Sequence, residues 1–182
     1  MLFALRLVPL TERNYNLVEL GPRSTGKSYV IQEVSPYAAL LTGGTTQASM
    51  FGHMNGRQKG MVQIWDVVGF DEVADLQKLP PEVVTTMKTY CESGSYQRGT
   101  EAASGDASIA MFGNTNQPID VMVQSGHLFA PMPDVIRADM AFIDRLHVYP
   151  PGRGVPNMQR AQFTTPHGSV VDYSTDPLRD VL

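Results

Sequence analysis

The chain has little of several things that define common protein classes. Its single cysteine, Cys91, cannot form an internal disulfide, which argues against a disulfide-stabilised secreted domain. The four histidines lie far apart and show no metal-ligand spacing. The opening ten residues are apolar but have no basic leader, and Arg6 interrupts them, so neither a signal peptide nor a membrane span is expected. The expectation from these features is a cytoplasmic protein.

Charge is also scarce, and its balance is acidic. Among 182 residues there are 14 Lys and Arg against 18 Asp and Glu, a net charge of -4. No overall basic field therefore points to nucleic acid, although a local basic patch is compatible with this balance. Hydrophobic residues make up 42% of the chain and are spread along it, which predicts one globular domain and excludes a disordered tail.

Short apolar runs alternate with helical patterns along the first 150 residues. Strands are predicted at 17–20, 37–42, 61–70 and 107–113, and helices at 27–34, about 45–54 and 82–92. The run 61–70 is nearly all apolar, as in a strand buried on both faces of a parallel sheet. The pattern predicts an α/β fold, a mainly parallel sheet flanked by helices, over residues 1–150.

A phosphate-binding loop follows the first predicted strand. Eight consecutive residues fit the Walker A pattern G-x-x-x-x-G-K-[ST]: Gly21, Pro22, Arg23, Ser24, Thr25, Gly26, Lys27 and Ser28. The glycines let backbone N–H groups curl around phosphate oxygens at a helix N-terminus. We predict that Lys27 neutralises the β- and γ-phosphates of ATP and that Ser28 places its hydroxyl on Mg²⁺. A surface glycine loop is the alternative interpretation.

Two acidic residues, Asp71 and Glu72, come directly after the apolar run that ends at Phe70. An aspartate at the end of a buried strand can hold hydrated Mg²⁺ through water or Ser28. The adjacent glutamate can polarise the attacking water. An acidic helix N-terminus would explain the same two residues without any catalytic role.

Two further polar features follow. The strand ending at Gly113 runs into Asn114-Thr115-Asn116, where an amide can orient the attacking water, and where an ordinary turn fits equally well. Arg145 lies at the end of an apolar helical segment. An arginine at a subunit edge can reach the γ-phosphate of a neighbour, and a surface ion pair is the alternative.

The order of phosphate loop, Asp-Glu, strand-end Asn and Arg is that of AAA+ ATPases. The segments 14–23, 65–72 and 92–99 resemble the Lon-like AAA+ ATPases of BREX bacteriophage-exclusion systems, over nearly the whole chain. The resemblance implies an AAA+ P-loop hydrolase that forms a hexamer-like ring and acts in phage defence. It also implies that Asn116 is the sensor asparagine, with Asn114 the less favoured register. Segment 142–149 is similar to the Lon-type arginine-finger segment, which gives that role to Arg145.

The sequence departs from that family at Ser24, where the loop usually has glycine. Family members also carry a helical lid and a Lon-protease-like domain. Residues 151–182 are expected to begin a lid or C-terminal extension, and no Ser–Lys protease pair can be assigned in this chain.

The functional alternatives differ first in the polymer on which a motor would act. The segment 94–99 reads as a hairpin or loop in which Tyr96 and Arg98 would contact DNA by stacking and by phosphate pairing, although an exposed turn fits as well. A polypeptide-threading ATPase is the main alternative. A nucleotide-binding regulatory module without turnover is another, against which Glu72 argues, and a small-molecule kinase is disfavoured by Asn116 and Arg145.

Overall fold

The computed structural model describes residues 2–54, 56–115 and 117–150. The predicted extension at 151–182 and the predicted sensor Asn116 lie outside these ranges. The strands are β1 (Leu17–Gly21), β2 (Ala38–Leu41), β3 (Val67–Phe70), β4 (Ser95–Arg98), β5 (Glu101–Ser104) and β6 (Ser108–Asn114). The helices are α1 (Leu2–Leu5), α2 (Lys27–Val34), α3 (Gln47–Phe51), α4 (Pro81–Ser93), α5 (Ile119–Gln124), α6 (Asp134–Arg137) and α7 (Met140–Ile143), with 3-10 helices at Val8–Leu10, Met61–Gln63 and Val73–Lys78.

The central sheet is parallel, as the sequence predicts. Its four strands run in the order β1-β6-β3-β2. A further parallel bridge joins Leu17 to Val148 on the free side of β1. Gly21 and Asn114 are register partners at the last position of β1 and β6. The residues that follow these strands therefore meet at one carboxyl edge of the sheet.

Apolar side chains fill the space on both faces of the sheet because neighbouring strand residues point to opposite sides. On one face, Val18 and Leu20 of β1 pack in a large core with α3 and α4. On the other, Leu17 packs with Ile31 of α2 and with Leu10. Glu19 shares that second face by alternation and is fully buried. None of the helices in the described ranges is long and apolar enough to cross a membrane.

The strand predicted at 61–70 is wrong over its first half. Residues Met61–Gln63 form a 3-10 helix, and β3 contains only Val67–Phe70. The side chain of Gln63 accepts a hydrogen bond from the N–H of Gly60 (3.0 Å), which stabilises the helical turn locally. Ile64 is 58% exposed, so an apolar residue of this run lies outside the sheet that its hydropathy predicts.

The predicted hairpin is present, but its two proposed contact residues face inward. Strands β4 and β5 pair antiparallel in a sheet of their own. Tyr96 is 3% exposed and packs its ring against Phe51 and Tyr90. Arg98 is 9% exposed. In a strand with alternating burial, both side chains therefore occupy the covered face, which disfavours the predicted contact of Tyr96 and Arg98 with DNA.

Candidate nucleotide-binding site

The predicted phosphate loop leaves the sheet at the end of β1 and leads into α2. Gly26 precedes the helix with a φ of 68°, in the left-handed region that glycine adopts without strain. Ser24 also has a positive φ, 64°, so its backbone is held in a conformation that is less favourable for a residue with a side chain. The first N–H groups of α2 and the positive end of its dipole lie at the loop, as an anion site requires.

Lys27 occupies the centre of this edge and is buried. Its Nζ donates to the carbonyl oxygens of Pro22 (2.7 Å) and Gly21 (3.3 Å) and to Oδ1 of Asn114 (3.2 Å). Burial lowers the pKa of Lys27, while the charge of Glu19 acts in the opposite direction. A partly desolvated cation held by neutral oxygens is poised to gain from a phosphate.

Asn114 connects Lys27 to Glu72. While its Oδ1 accepts from Lys27, its Nδ2 donates to Oε2 of Glu72 (3.3 Å). Gly113 makes this approach possible, since a Cβ at that position would lie 2.5 Å from Cγ2 of Val73. The structure therefore brings Lys27, Glu72 and Asn114 together. Asn114, which the family resemblance made the less favoured sensor residue, lies between the other two.

The candidate metal-binding residues lie at the same edge. Asp71 follows β3 and its N–H donates to the carbonyl of Leu41 at the end of β2 (3.0 Å). Ser28 is in the first turn of α2. Both side chains offer oxygen donors, which suit Mg²⁺. In the described ranges no three His, Cys, Asp or Glu side chains converge on one metal position.

Arg145 lies far from this edge. Its guanidinium pairs with Glu92 of α4 (2.6 Å), and its carbonyl accepts from Nδ2 of the buried Asn16 (3.3 Å). Asn16 immediately precedes β1, so Arg145 lies at the amino end of the strand whose carboxyl end carries the phosphate loop. A five-residue strand spans about 16 Å. This placement separates Arg145 from its own phosphate loop, and its action on a neighbouring subunit stays a prediction.

Sequence reasoning missed an ion pair behind the loop. Arg6 is 1% exposed and its Nε donates to Oε2 of Glu19 (2.9 Å), while its Nη1 donates to the carbonyl of Thr25 (3.0 Å). The sequence does contain a signal for this pair: Arg6 and Glu19 are each the only charged residue in an apolar run.

Comparisons with known proteins agree on the family. The model of the family described as Lon-like protease BrxL-like, ATPase domain, matches residues 1–181. The chain is 45% identical over 177 residues to Lon-like protease BrxL of Bacillus cereus (strain H3081.97), covering 97% of this chain and 26% of that protein. Lon-like protease BrxL of Escherichia coli O9:H4 (strain HS) is also 45% identical over 177 residues, with 97% and 25% coverage. The chain thus spans about a quarter of the length of these relatives.

A solved structure bears on the fold alone. The closed-state reconstruction of Hsp104 with ATPγS and FITC casein aligns with a TM-score of 0.51 at 15% identity, covering 76% of this chain and 28% of that one. This likeness and the parallel sheet confirm the predicted α/β fold of the AAA+ P-loop type. By its match over residues 1–181, the chain belongs to the BrxL-like family of Lon-like proteases, in the part that forms their ATPase domain.

Proposed function

We propose that this chain binds ATP with Mg²⁺ at residues 21–28 and hydrolyses it at Glu72. The observation that carries the proposal is the side chain of Asn114, which contacts both Nζ of Lys27 and the carboxylate of Glu72. The group that would bind phosphate and the group that would activate water are thus linked by one amide. A surface glycine loop or an acidic helix start would need no such link.

Each residue has a distinct task in this proposal. The loop amides and Lys27 bind the phosphates, and Lys27 exchanges its present oxygen partners for phosphate oxygens. Glu72 accepts a proton from the attacking water, and Asn114 fixes the direction of the carboxylate. Ser28 and Asp71 would hold Mg²⁺, which when bound neutralises charge on the phosphates. Arg145 would supply a cation from the neighbouring subunit.

Two substitutions separate binding from chemistry. Lys27→Ala removes the buried cation and should weaken ATP binding by about 2–4 kcal/mol, on the scale of charge-assisted hydrogen bonds to a buried group. Glu72→Gln keeps an oxygen for Asn114 but removes the base, so it should bind ATP normally and lose turnover. Fluorescent-nucleotide titration and phosphate release measure the two effects.

Lys59→Ala is the matched control for the lysine substitution because Lys59 is exposed and lies outside the loop. It should leave both readouts unchanged. A folded Lys27→Ala protein with unchanged affinity would end the phosphate-loop proposal. Full turnover by Glu72→Gln would transfer the role of base to another residue.

The wider role rests on family membership. We propose a ring-forming, hexamer-like motor in phage defence, with DNA as the polymer on which it acts. Burial of Arg98 removes the cation on which DNA contact was predicted, so polypeptide threading is the second candidate. Stimulation of ATPase activity by duplex DNA, compared with stimulation by an unfolded polypeptide, distinguishes them. ATP binding with no turnover, in the presence or absence of either polymer, would favour the regulatory module.

A further inference from the structure

The segment before β1 sends one charged side chain into the interior, directly behind the phosphate loop. Arg6 lies between α1 and the 3-10 helix Val8–Leu10 and is fully buried together with Glu19. Its guanidinium uses all three nitrogens: Nε and Nη2 donate to the two carboxylate oxygens of Glu19, and Nη1 donates to the carbonyl of Thr25. One side chain thus joins the N-terminal segment, β1 and the loop.

The buried Arg6–Glu19 pair is not needed merely to fill the interior. Desolvating two charges is costly, and an apolar pair of similar volume often stabilises a protein as well or better. An apolar side chain, however, cannot donate to the carbonyl of Thr25. Thr25 lies between Ser24 and Gly26, the two residues with positive φ, where the loop has no helix or strand to hold its backbone. The contact at 3.0 Å therefore supports the least regular part of the loop.

Arg6 also affects the charges around Lys27. Glu19 favours the charged form of Lys27 and Arg6 disfavours it, so the three groups lie within electrostatic reach of one another. With both carboxylate oxygens paired to Arg6, Glu19 has its partner, and the Nζ of Lys27 contacts only neutral oxygens in the hydrogen bonds described above. Burial raises the pKa of Glu19 even beside Arg6. Without Arg6, this buried carboxyl group would either take up a proton or turn to Lys27 as its remaining cation, and the second outcome would compete with phosphate.

We propose that Arg6 is a positioning residue for ATP binding: it holds the phosphate loop through the Thr25 carbonyl and pairs Glu19 so that Lys27 is available to phosphate. The inference rests on the proposed nucleotide binding at this loop. It makes the segment before β1 part of the binding machinery, without contact to the nucleotide.

The test compares two buried arginines. In the full chain, Arg6→Met and Arg6→Lys are titrated with fluorescent ATP, and affinity is referred to the folded fraction from circular dichroism. Lysine can pair with Glu19 but lacks the fork that also reaches Thr25. Both variants should bind ATP about tenfold or more weakly, the scale expected for a charged hydrogen bond.

Arg98→Met is the matched control. Arg98 is also buried and its Nε donates to a backbone carbonyl, that of Gly52 (2.7 Å), but it belongs to the separate β4–β5 sheet. Its loss should lower stability and leave affinity within about twofold, as for distant sites. A folded Arg6 variant with affinity equal to Arg98→Met would overturn the inference.

A measurement on the unsubstituted chain decides the matter if neither Arg6 variant folds. The amides of Leu7 and Leu10 donate to the carbonyls of Ala4 and Leu7 (2.9 Å each). Coupling is reciprocal, so ATPγS should slow hydrogen exchange at these two amides. Unchanged exchange under saturating ATPγS would overturn the inference.

Lys27→Ala distinguishes failure of the proposed nucleotide site from failure of the proposed role of Arg6. If its affinity is unchanged, the proposed nucleotide site itself fails. If Lys27→Ala weakens binding while a folded Arg6 variant does not, the site stands and only the role of Arg6 is lost.

Discussion

The amide oxygen of Asn114 lies 3.2 Å from the Nζ of Lys27, across the gap between the ends of β6 and β1. The two residues are 87 positions apart in the chain, yet they face each other because β1 and β6 are parallel neighbours that end in register at Gly21 and Asn114. The strand pairing thus determines which polar residue at the end of β6 meets the phosphate loop. That residue is the last of the strand itself.

Asn114 should therefore affect turnover more than binding. Asn114→Ala removes the donor that orients Glu72, and we expect kcat to fall by about a hundredfold, as for loss of one preorganised hydrogen bond. ATP affinity should change little, because Lys27 keeps its carbonyl partners. Asn116→Ala is the comparison that matters, since the family resemblance favours that residue. A loss confined to Asn116→Ala would return the sensor role to Asn116.

Ser24 should be improved by glycine. Its φ of 64° costs a residue with a side chain about 1 kcal/mol, which glycine avoids. We expect Ser24→Gly to raise the free energy of unfolding by up to that amount, measured by urea denaturation. Ser49→Gly supplies a control of opposite sign, because Ser49 is exposed within α3, where glycine lowers helix stability. Equal effects of the two substitutions would show that strain at Ser24 is absent.

The sequence predicted the order of elements well because apolar runs and the loop motif are local signals. The predicted helix 82–92 is confirmed as α4, and the strands at 17–20 and 107–113 are confirmed within a residue or so at each end. Hydropathy failed at 61–70, because a capped turn and a strand can be equally apolar.

Side-chain direction in the hairpin and at the site was harder to predict. The burial of Tyr96 and Arg98 depends on which face of a short hairpin meets the core, and a motif does not carry that information. The link between Arg6 and Thr25 depends on a contact across 19 residues, which no local pattern encodes.

The single cysteine reports on unfolding. Cys91 is buried in α4, and desolvation raises the pKa of its thiol to about 12. At pH 8 the folded thiol is protonated and inaccessible, whereas the unfolded thiol, with its ordinary pKa near 9, reacts readily. Ellman's reagent should thus label the native chain only through unfolding, and ATP should slow the reaction by mass action. Rapid stoichiometric labelling without denaturant would contradict this burial.

Arg145 should act on a neighbouring subunit. It lies at the amino end of β1, about a strand length from its own phosphate loop, so only a second copy can bring it to a γ-phosphate. Arg145→Ala should therefore bind ATP normally but lose turnover, and specific activity of the unsubstituted protein should rise with concentration. Glu92→Gln keeps a polar partner for the guanidinium while removing the ion pair. Glu92→Gln should retain ATPase activity. Loss of activity in this variant would show that the ion pair itself is needed.

Mixing two inactive variants gives the sharper form of this test. Arg145→Ala subunits keep an intact loop, and Lys27→Ala subunits keep an intact arginine, so a junction between them contains one complete site. Turnover should reappear on mixing and depend on the ratio of the two variants. Each variant mixed with unsubstituted protein controls for simple dilution. If native mass measurement confirms mixed assemblies and phosphate release stays at the background of either variant alone, then Arg145 does not complete a shared site, and its pair with Glu92 is only structural.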